Sequence, residues 1–270
     1  MILEILEWAI TPATWTSRRS GLLAAQIAIR HRRSRCASAW QPHLDSCKVF
    51  VALHTERPPS DSSPRHCVIL GSGHLNDINL TFLQKNFSVI TLVDAVHPIE
   101  VQLRSLFSFG RLRLFTSDIS GILTAKAPPA GVKLDPHLVA LVSSADWAIS
   151  SCLLSQLLLH APCSNDDSRD IESIHAVYAA HLDLLRKARN AILITDTALR
   201  LDPDPTWHSL LHDFPLPAPS ATWIWLLAPP GEKHPAAGEF RRVEAFVFSS
   251  GRLKPNSAEL TTTDQREIDC

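Results

Sequence analysis

One stretch of the sequence, residues 67–98, constrains the fold more than any other. It reads CVILGSGHLNDINLTFLQKNFSVITLVDAVHP, an apolar run that ends in Gly71-Ser72-Gly73, a segment with helical spacing, and a β-branched run that ends in Asp94. Glycines directly after a buried strand let the chain turn tightly and let a ligand approach the backbone. The stretch therefore predicts a parallel strand–helix–strand unit with a ligand crevice at the carboxyl ends of its strands.

Strand and helix patterns continue to alternate along the chain. Apolar runs typical of strands occur at 68–70, 89–93, 111–115, 145–150 and 191–196, and helical spacing occurs at 77–86, from Pro98 onward and at 171–189. Two final runs, ATWIWLLA and RRVEAFVF, have no helical pattern between them. Because such alternation is typical of a sheet covered by helices on both faces, we predict an α/β fold. Its doubly wound, mostly parallel seven-stranded sheet would end in an antiparallel C-terminal hairpin.

The first sixty residues follow a different pattern. Apolar residues and arginines share a helical period over 18–35, and a further helical segment ends before the Pro- and Ser-rich stretch RPPSDSSPR at 57–65. Clusters of proline and serine between periodic segments are typical of loops. We therefore expect an N-terminal helical cap over 1–60, a main α/β domain over 65–250 and a tail over 251–270.

Composition excludes several classes of protein. No apolar stretch of the 270 residues approaches the roughly 20 residues that span a bilayer, and the N-terminus has no basic signal region. The six cysteines form no Cys-x-x-Cys pair and the histidines no ligand spacing, so we expect no metal and reduced thiols in a cytoplasmic protein. The formal net charge of −1 favours a solvated arginine face over a nucleic-acid partner, which stays open as an alternative.

Two aspartates follow successive strands of the predicted sheet. Asp94 lies 94 − 73 = 21 residues after Gly73, a spacing at which a carboxylate can accept hydrogen bonds from a ribose diol. Asp118, just past the third strand, can accept from an adenine amine, and Ile119 can pack on the ring. Together these residues predict a nucleotide-like ligand.

Two classes of protein combine a glycine turn with a ribose-binding acid. An NAD-dependent dehydrogenase requires a third glycine for close packing of helix on strand, and this chain has Asn76 there. An NAD(P)-dependent oxidoreductase therefore stays an alternative rather than the favoured interpretation.

The sequence resembles the class I S-adenosylmethionine-dependent methyltransferases over about 65–250. VILGSGHL is similar to their first motif, LVDAV to the second, LFTSDIS to the third, and DWAISSCLLSQL and AILITD to their fourth and fifth strand segments. The resemblance implies S-adenosylmethionine as the cofactor. It also implies a set of cofactor-binding residues, namely Gly71, Ser72, Gly73, His74, Asp94, Ala95, Asp118, Ile119 and Ser150.

The first motif departs from the family pattern at two positions. Ile69 stands where the family has an acidic residue that orients the methionine amino group, and Leu75 stands at the third glycine. A catalytically inactive partner protein on the same fold therefore stays open as an alternative.

The acceptor side is less defined by the sequence. Methyl transfer from a sulfonium is a direct displacement that needs alignment more than a dedicated base, so no catalytic residue is assigned. The fourth strand ends in Ser-Ser-Cys and not in the Asn/Asp-Pro-Pro-aromatic motif of enzymes that methylate nitrogen. We expect a small-molecule acceptor with His97, Cys152 and Gln156 as candidate pocket residues, and the acceptor atom and oligomeric state stay open.

Overall fold

One mixed β-sheet organises the part of the chain that the computed structural model describes, residues 2–56, 63, 65–123, 132–159, 171–249 and 252–253. Its strands are β1 (His66–Leu70), β2 (Val89–Asp94), β3 (Leu112–Thr116), β4 (Trp147–Ser151), β5 (Asn190–Leu201), β6 (His208–Ser209), β7 (Ala221–Ala228), β8 (Glu239–Ser249) and β9 (Arg252–Leu253). The helices are α1 (Ile2–Ile10), α2 (Trp15–Arg19), α3 (Leu22–Arg35), α4 (Ala37–Thr55), α5 (Leu80–Asn86), α6 (Ile99–Leu106), α7 (Pro136–Ser143) and α8 (Ile171–Leu185).

The strand order confirms the predicted α/β architecture. The main path runs β3-β2-β1-β4-β5-β8-β7, with β6 paired to β5 and β9 to β8. Strands β1 to β5 pair in parallel, and β8 lies antiparallel between β5 and β7. The seven predicted strands form this path, and two further strands of two residues each bring the described sheet to nine.

Several element boundaries differ from the prediction for local reasons. Helix α5 begins at Leu80 and not at 77 because Asn79 is its N-cap, whose side-chain oxygen accepts the Phe82 N–H at 3.0 Å. Helix α8 ends at Leu185 rather than at 189. Strand β5 continues to Leu201 because it stays paired with β8 beyond a bulge. Most of the predicted 57–65 linker and of the 251–270 tail lies outside the described residues.

Two apolar layers cover the two faces of the sheet. Ile69 of β1 joins a cluster with Trp40 of α4 and Trp225 of β7, and Val68 joins a second cluster with Tyr178 of α8 and Leu138 of α7. Neighbouring residues of β1 enter different clusters because successive side chains of a strand point to opposite faces. Burial on both faces explains why the parallel strands read as continuous apolar runs.

The N-terminal helices meet the sheet at two places. Helix α4 packs on β7, where the Trp40 indole N–H donates to the Leu227 carbonyl at 2.8 Å. Helix α3 lies over the end of β2, where Leu23 and Ile27 pack against Val96 in a small third cluster. Within the described residues, no helix combines the length and apolar composition that crossing a membrane requires.

Candidate functional site

The candidate site lies where the connections of the sheet change direction. From β1 the chain goes to β2 on one side, whereas β4, the other neighbour of β1, is followed by β5 on the opposite side. Ligands of open α/β sheets bind at such switch points, outside the carboxyl ends of the strands. The loop after β1 and the turn after β4 meet there.

The loop after β1 has a backbone that requires small residues. Gly71 and Gly73 have φ angles of +67° and +43°, in the left-handed region that other residues rarely adopt. A Cβ on Gly71 would lie 2.9 Å from the side chain of Leu153, whereas a Cβ on Gly73 would meet only the Gly71 carbonyl at 3.9 Å. The structure thus leaves open space above Gly73 and covers Gly71 with Leu153.

Asp94 is held in place at the end of β2. Its Oδ2 accepts the Gly73 N–H at 2.8 Å, and its Oδ1 accepts the Val96 N–H and the Gln26 side-chain amide, each at 3.2 Å. Burial raises the pKa of the Asp94 carboxyl, and the Gly73 and Val96 N–H groups oppose that rise. The glycine loop and the acid are therefore joined directly, and the predicted contact of Asp94 with a ribose stays a prediction.

His74 has a structural role that the sequence did not indicate. Its Nδ1 lies 2.6 Å from Glu100 Oε1 and its Nε2 lies 3.0 Å from the Gln26 main-chain carbonyl. Both ring nitrogens of His74 therefore face oxygen atoms that accept hydrogen bonds. The hydrogen bond from His74 lowers the pKa of the Glu100 carboxyl to about 2. His74 therefore joins the loop to α3 and α6, and its predicted cofactor contact is not needed to explain it.

Asp118 organises the turn after β3. Its Oδ1 accepts the Ser120 N–H at 2.9 Å, the Ser120 hydroxyl at 2.6 Å and the Gly121 N–H at 3.1 Å, and its Oδ2 accepts the Leu123 N–H at 2.8 Å. Ile119 is 6% exposed and packs in the apolar layer that contains α7 and α8. The described contacts of both residues are internal, and their predicted contact with adenine stays a prediction.

Ser150 contacts a histidine of α8. Its side chain is fully buried, and its hydroxyl lies 2.9 Å from His181 Nε2 on α8. Burial lowers the pKa of His181 to about 4, so the ring is neutral at pH 7. Its side chain thus faces the layer under α8, and its predicted position at the border of the methyl donor stays a prediction.

The remaining predicted residues surround Asp94 and the turn after β4. The Ala95 carbonyl accepts the Ser17 hydroxyl at 3.0 Å, which attaches α2 to the end of β2. His97 is 5% exposed, and burial lowers its imidazole pKa while the nearby Asp94 opposes this. Gln156 donates its amide N–H to the Cys152 carbonyl at 2.6 Å. Ala95 and His97 thus lie beside Asp94, and Gln156 stabilises the turn that carries Cys152.

A thiol–imidazole cluster joins α4 to the turn after β4. His43 Nε2 lies 3.6 Å from Cys152 Sγ and 3.7 Å from Cys47 Sγ, and the possible ligand atoms of the three residues lie within 4.8 Å of one another. The Trp223 indole N–H donates to His43 Nδ1 at 3.0 Å. Since a neutral imidazole has one proton, that proton is on Nε2, and the ring presents an N–H to the sulfurs rather than a lone pair for a metal.

The titration behaviour of the cluster agrees with this assignment. Burial lowers the pKa of His43 to about 3, so its ring is neutral at pH 7. A hydrogen bond with Cys47 and burial raise the pKa of the Cys152 thiol well above its ordinary value. The cluster is therefore a set of neutral hydrogen-bonding groups. The spacing of His43 and Cys47, four residues apart on one helix, was the signal in the sequence that could have indicated their proximity.

The strand order, parallel core and antiparallel C-terminal pair define the class of fold as a Rossmann-like methyltransferase fold. No protein-family model matches the sequence, and no curated protein matches it either. Solved structures do align with it, and methyltransferases are among them.

A Burkholderia thailandensis 1,6-didemethyltoxoflavin-N1-methyltransferase is 14% identical, aligns with 87% of this chain and 91% of its own, and has a TM-score of 0.44. A Leishmania major S-adenosylmethionine-dependent methyltransferase is 11% identical over 89% and 81% of the two chains, with a TM-score of 0.37. One from Mesorhizobium loti is 11% identical over 74% and 73%, with a TM-score of 0.30. Likenesses of this size carry no argument about activity, and the fold class rests on the strand order.

Proposed function

We propose that this protein is an S-adenosylmethionine-dependent methyltransferase that acts on a small-molecule acceptor. The observation that carries the proposal is the hydrogen bond of 2.8 Å from the Gly73 N–H to Asp94 Oδ2. It places a half-buried carboxylate beside an open glycine at the switch point of the sheet, where a carboxylate can bind a ribose diol. A cytoplasmic location and the division into segments 1–60, 65–250 and 251–270 belong to the same proposal.

The chemistry of the residues around Asp94 fits such a cofactor. The Ser72 hydroxyl is buried and has no hydrogen-bond partner among the described residues, so it is available to a polar ligand. The space above Gly73 admits atoms of a ligand. Bound S-adenosylmethionine supplies an electrophilic methyl group.

The residues of the chain then bind and orient the two reactants. Asp94 would hold the ribose, Ser72 and Gly73 would line the adjoining part of the cofactor, and α2 and α3 would cover the end of β2 against water. Alignment of donor and acceptor and exclusion of water are the contributions that a direct displacement requires. The turn at Cys152 lies on the acceptor side of this arrangement.

Calorimetric titration with S-adenosylhomocysteine tests the proposal. The wild-type protein is expected to bind this product analogue, and Asp94→Ala is expected to abolish binding. Asp183→Ala is the matched control, because Asp183 is 69% exposed on α8 and forms only a surface ion pair. Circular dichroism would verify that each variant is folded. No heat of binding for the wild type at millimolar ligand would overturn the proposal, and binding of NAD or NADP instead would support an oxidoreductase.

A second candidate, a non-catalytic protein on the methyltransferase fold, is favoured by one observation. The Leu153 side chain lies 2.9 Å from the position that a Cβ added to Gly71 would take. It therefore covers Gly71 on the side where a methionine moiety would lie. Tighter binding of S-adenosylhomocysteine by Leu153→Ala would show that this side chain limits access. If neither the wild type nor Leu153→Ala binds S-adenosylhomocysteine, the result would favour the non-catalytic function.

A further inference from the structure

The side-chain amide of Gln26, on α3, has a fixed orientation beside Asp94. Its Nε2 donates to Asp94 Oδ1 at 3.2 Å and to the Val96 carbonyl at 2.9 Å. Both partners only accept hydrogen bonds, so the nitrogen and oxygen of this amide cannot be exchanged without losing both contacts. The position of Gln26 Oε1 follows from this orientation.

The contacts of Asp94 leave it limited capacity for a ligand. A carboxylate has about four acceptor sites, two on each oxygen. Oδ1 already accepts from Val96 and Gln26, and Oδ2 accepts from Gly73. The Ala95 N–H also interacts with this carboxylate, so at most one acceptor site remains, whereas a ribose diol has two hydroxyl groups to donate.

Gln26 Oε1 can provide the second acceptor. It is buried and has no hydrogen-bond partner among the described residues. A buried acceptor without a donor destabilises the protein, and a ligand hydroxyl that donates to it would remove that cost. Two constraints hold α3 in the position that presents this oxygen: His74 donates to the Gln26 carbonyl at 3.0 Å, and Leu23 and Ile27 pack on Val96.

We propose that Gln26 is a cofactor-binding residue whose Oε1 accepts one ribose hydroxyl while Asp94 Oδ2 accepts the other. The inference rests on the proposed function and adds a residue from the N-terminal helices to the site. Helix α3 then has a specific task, because cofactor binding requires it to be docked on the end of β2.

The test combines a protein variant with ligands that lack one hydroxyl. Gln26→Leu and, as a second variant of similar length, Gln26→Met are titrated with S-adenosylhomocysteine and with its 2′-deoxy and 3′-deoxy analogues. Loss of one hydrogen bond is expected to weaken binding of S-adenosylhomocysteine about tenfold. One of the two deoxy analogues is expected to bind wild type and variants equally, which identifies the hydroxyl that Gln26 contacts.

Gln41→Leu is the matched control. Gln41 makes the same kind of contact, from its Nε2 to Asp45 Oδ1 at 2.7 Å, but on an exposed face of α4, and its substitution should leave the affinity unchanged. Unchanged or tighter binding by the Gln26 variants would overturn the inference and show that the amide competes with the ribose for Asp94. An equal loss with both deoxy analogues would also overturn it, since Gln26 would then only position Asp94.

The result for the wild type separates this inference from the proposed function. If the wild type does not bind S-adenosylhomocysteine, both fail. If the wild type and the Gln26 variants bind S-adenosylhomocysteine equally and Asp94→Ala does not bind it, only the proposed role of Gln26 is wrong.

Discussion

Three residues of the loop after β1 have a left-handed backbone conformation, and only two of them are glycines. Gly71, Gly73 and Leu75 have φ angles of +67°, +43° and +57°. Leu75 is 6% exposed and packs in the core, so it retains its side chain despite a conformation that costs a non-glycine residue about 1–2 kcal/mol. Leu75 thus adopts a left-handed conformation at the position where the resemblance to the methyltransferases implied a glycine.

The two glycines should respond differently to alanine. Gly71→Ala is expected to lower the free energy of unfolding by about 2–4 kcal/mol, since it adds backbone strain and a clash with Leu153. Gly73→Ala adds only the strain and should cost about 1 kcal/mol. Urea unfolding of both variants measures the difference, and equal losses would contradict the contact of Leu153 with Gly71.

At the scale of elements, helix α4 packs on β7 through an interface of aromatic contacts and hydrogen bonds. The His43 ring stacks on Trp225 with 4.0 Å between ring centroids, and Trp223 donates to the same ring. Trp40 adds a hydrogen bond to the Leu227 carbonyl. Because the same His43 contacts Cys152, the position of α4 also determines the surroundings of the turn after β4.

Trp223→Phe tests this interface. The variant removes the donor to His43 Nδ1 and leaves a buried acceptor without a partner, which should lower the free energy of unfolding by about 1–2 kcal/mol. Trp15→Phe is the control, because Trp15 is 70% exposed and its substitution should cost less than about 0.5 kcal/mol. Equal stability of both variants in urea unfolding would show that the indole N–H contributes nothing to the docking of α4.

At the scale of the whole molecule, burial keeps the rings of His43 and His181 neutral in the folded protein. His43 lies between the sheet and α4, and His181 lies between the sheet and α8, with folded-state pKa values of about 3 and about 4. An imidazole in the unfolded chain has its ordinary pKa of about 6.5. Between these values each of the two imidazoles binds more protons in the unfolded state than in the folded state, so their contribution to stability falls as the pH falls from 6.5 toward 4.

The contribution of His181 to this pH dependence of stability can be measured separately. The shift of His181 corresponds to at most about 3 kcal/mol of stability, present above pH 6.5 and lost on acidification. His181→Gln keeps a polar side chain but cannot titrate, so it should lose less stability than the wild type between pH 7.5 and 5. Thermal melts at both pH values compare the two proteins. Identical losses would mean that His181 does not carry the effect.

The sequence by itself determined the class of fold and the position of the glycine loop and Asp94 at one edge of the sheet. The alternation of periods predicted the parallel core and the antiparallel hairpin. The strand ends predicted that the glycine loop and Asp94 lie at one edge of the sheet, because the carboxyl ends of adjacent parallel strands share that edge. Helix limits were less accurate, since a cap such as Asn79 overrides the apolar period.

Only the tertiary structure decided which face each strand residue takes and which distant side chains meet. It placed Ser150 under α8, brought Gln26 to Asp94 across 68 residues of sequence, and joined His43 to Cys152 across 109. A local sequence pattern predicts that a residue is buried, because burial depends on the hydrophobicity of the residue and on its place in the apolar period. It does not predict the partner of that residue, because the partner is chosen by the packing of elements that are distant in the chain.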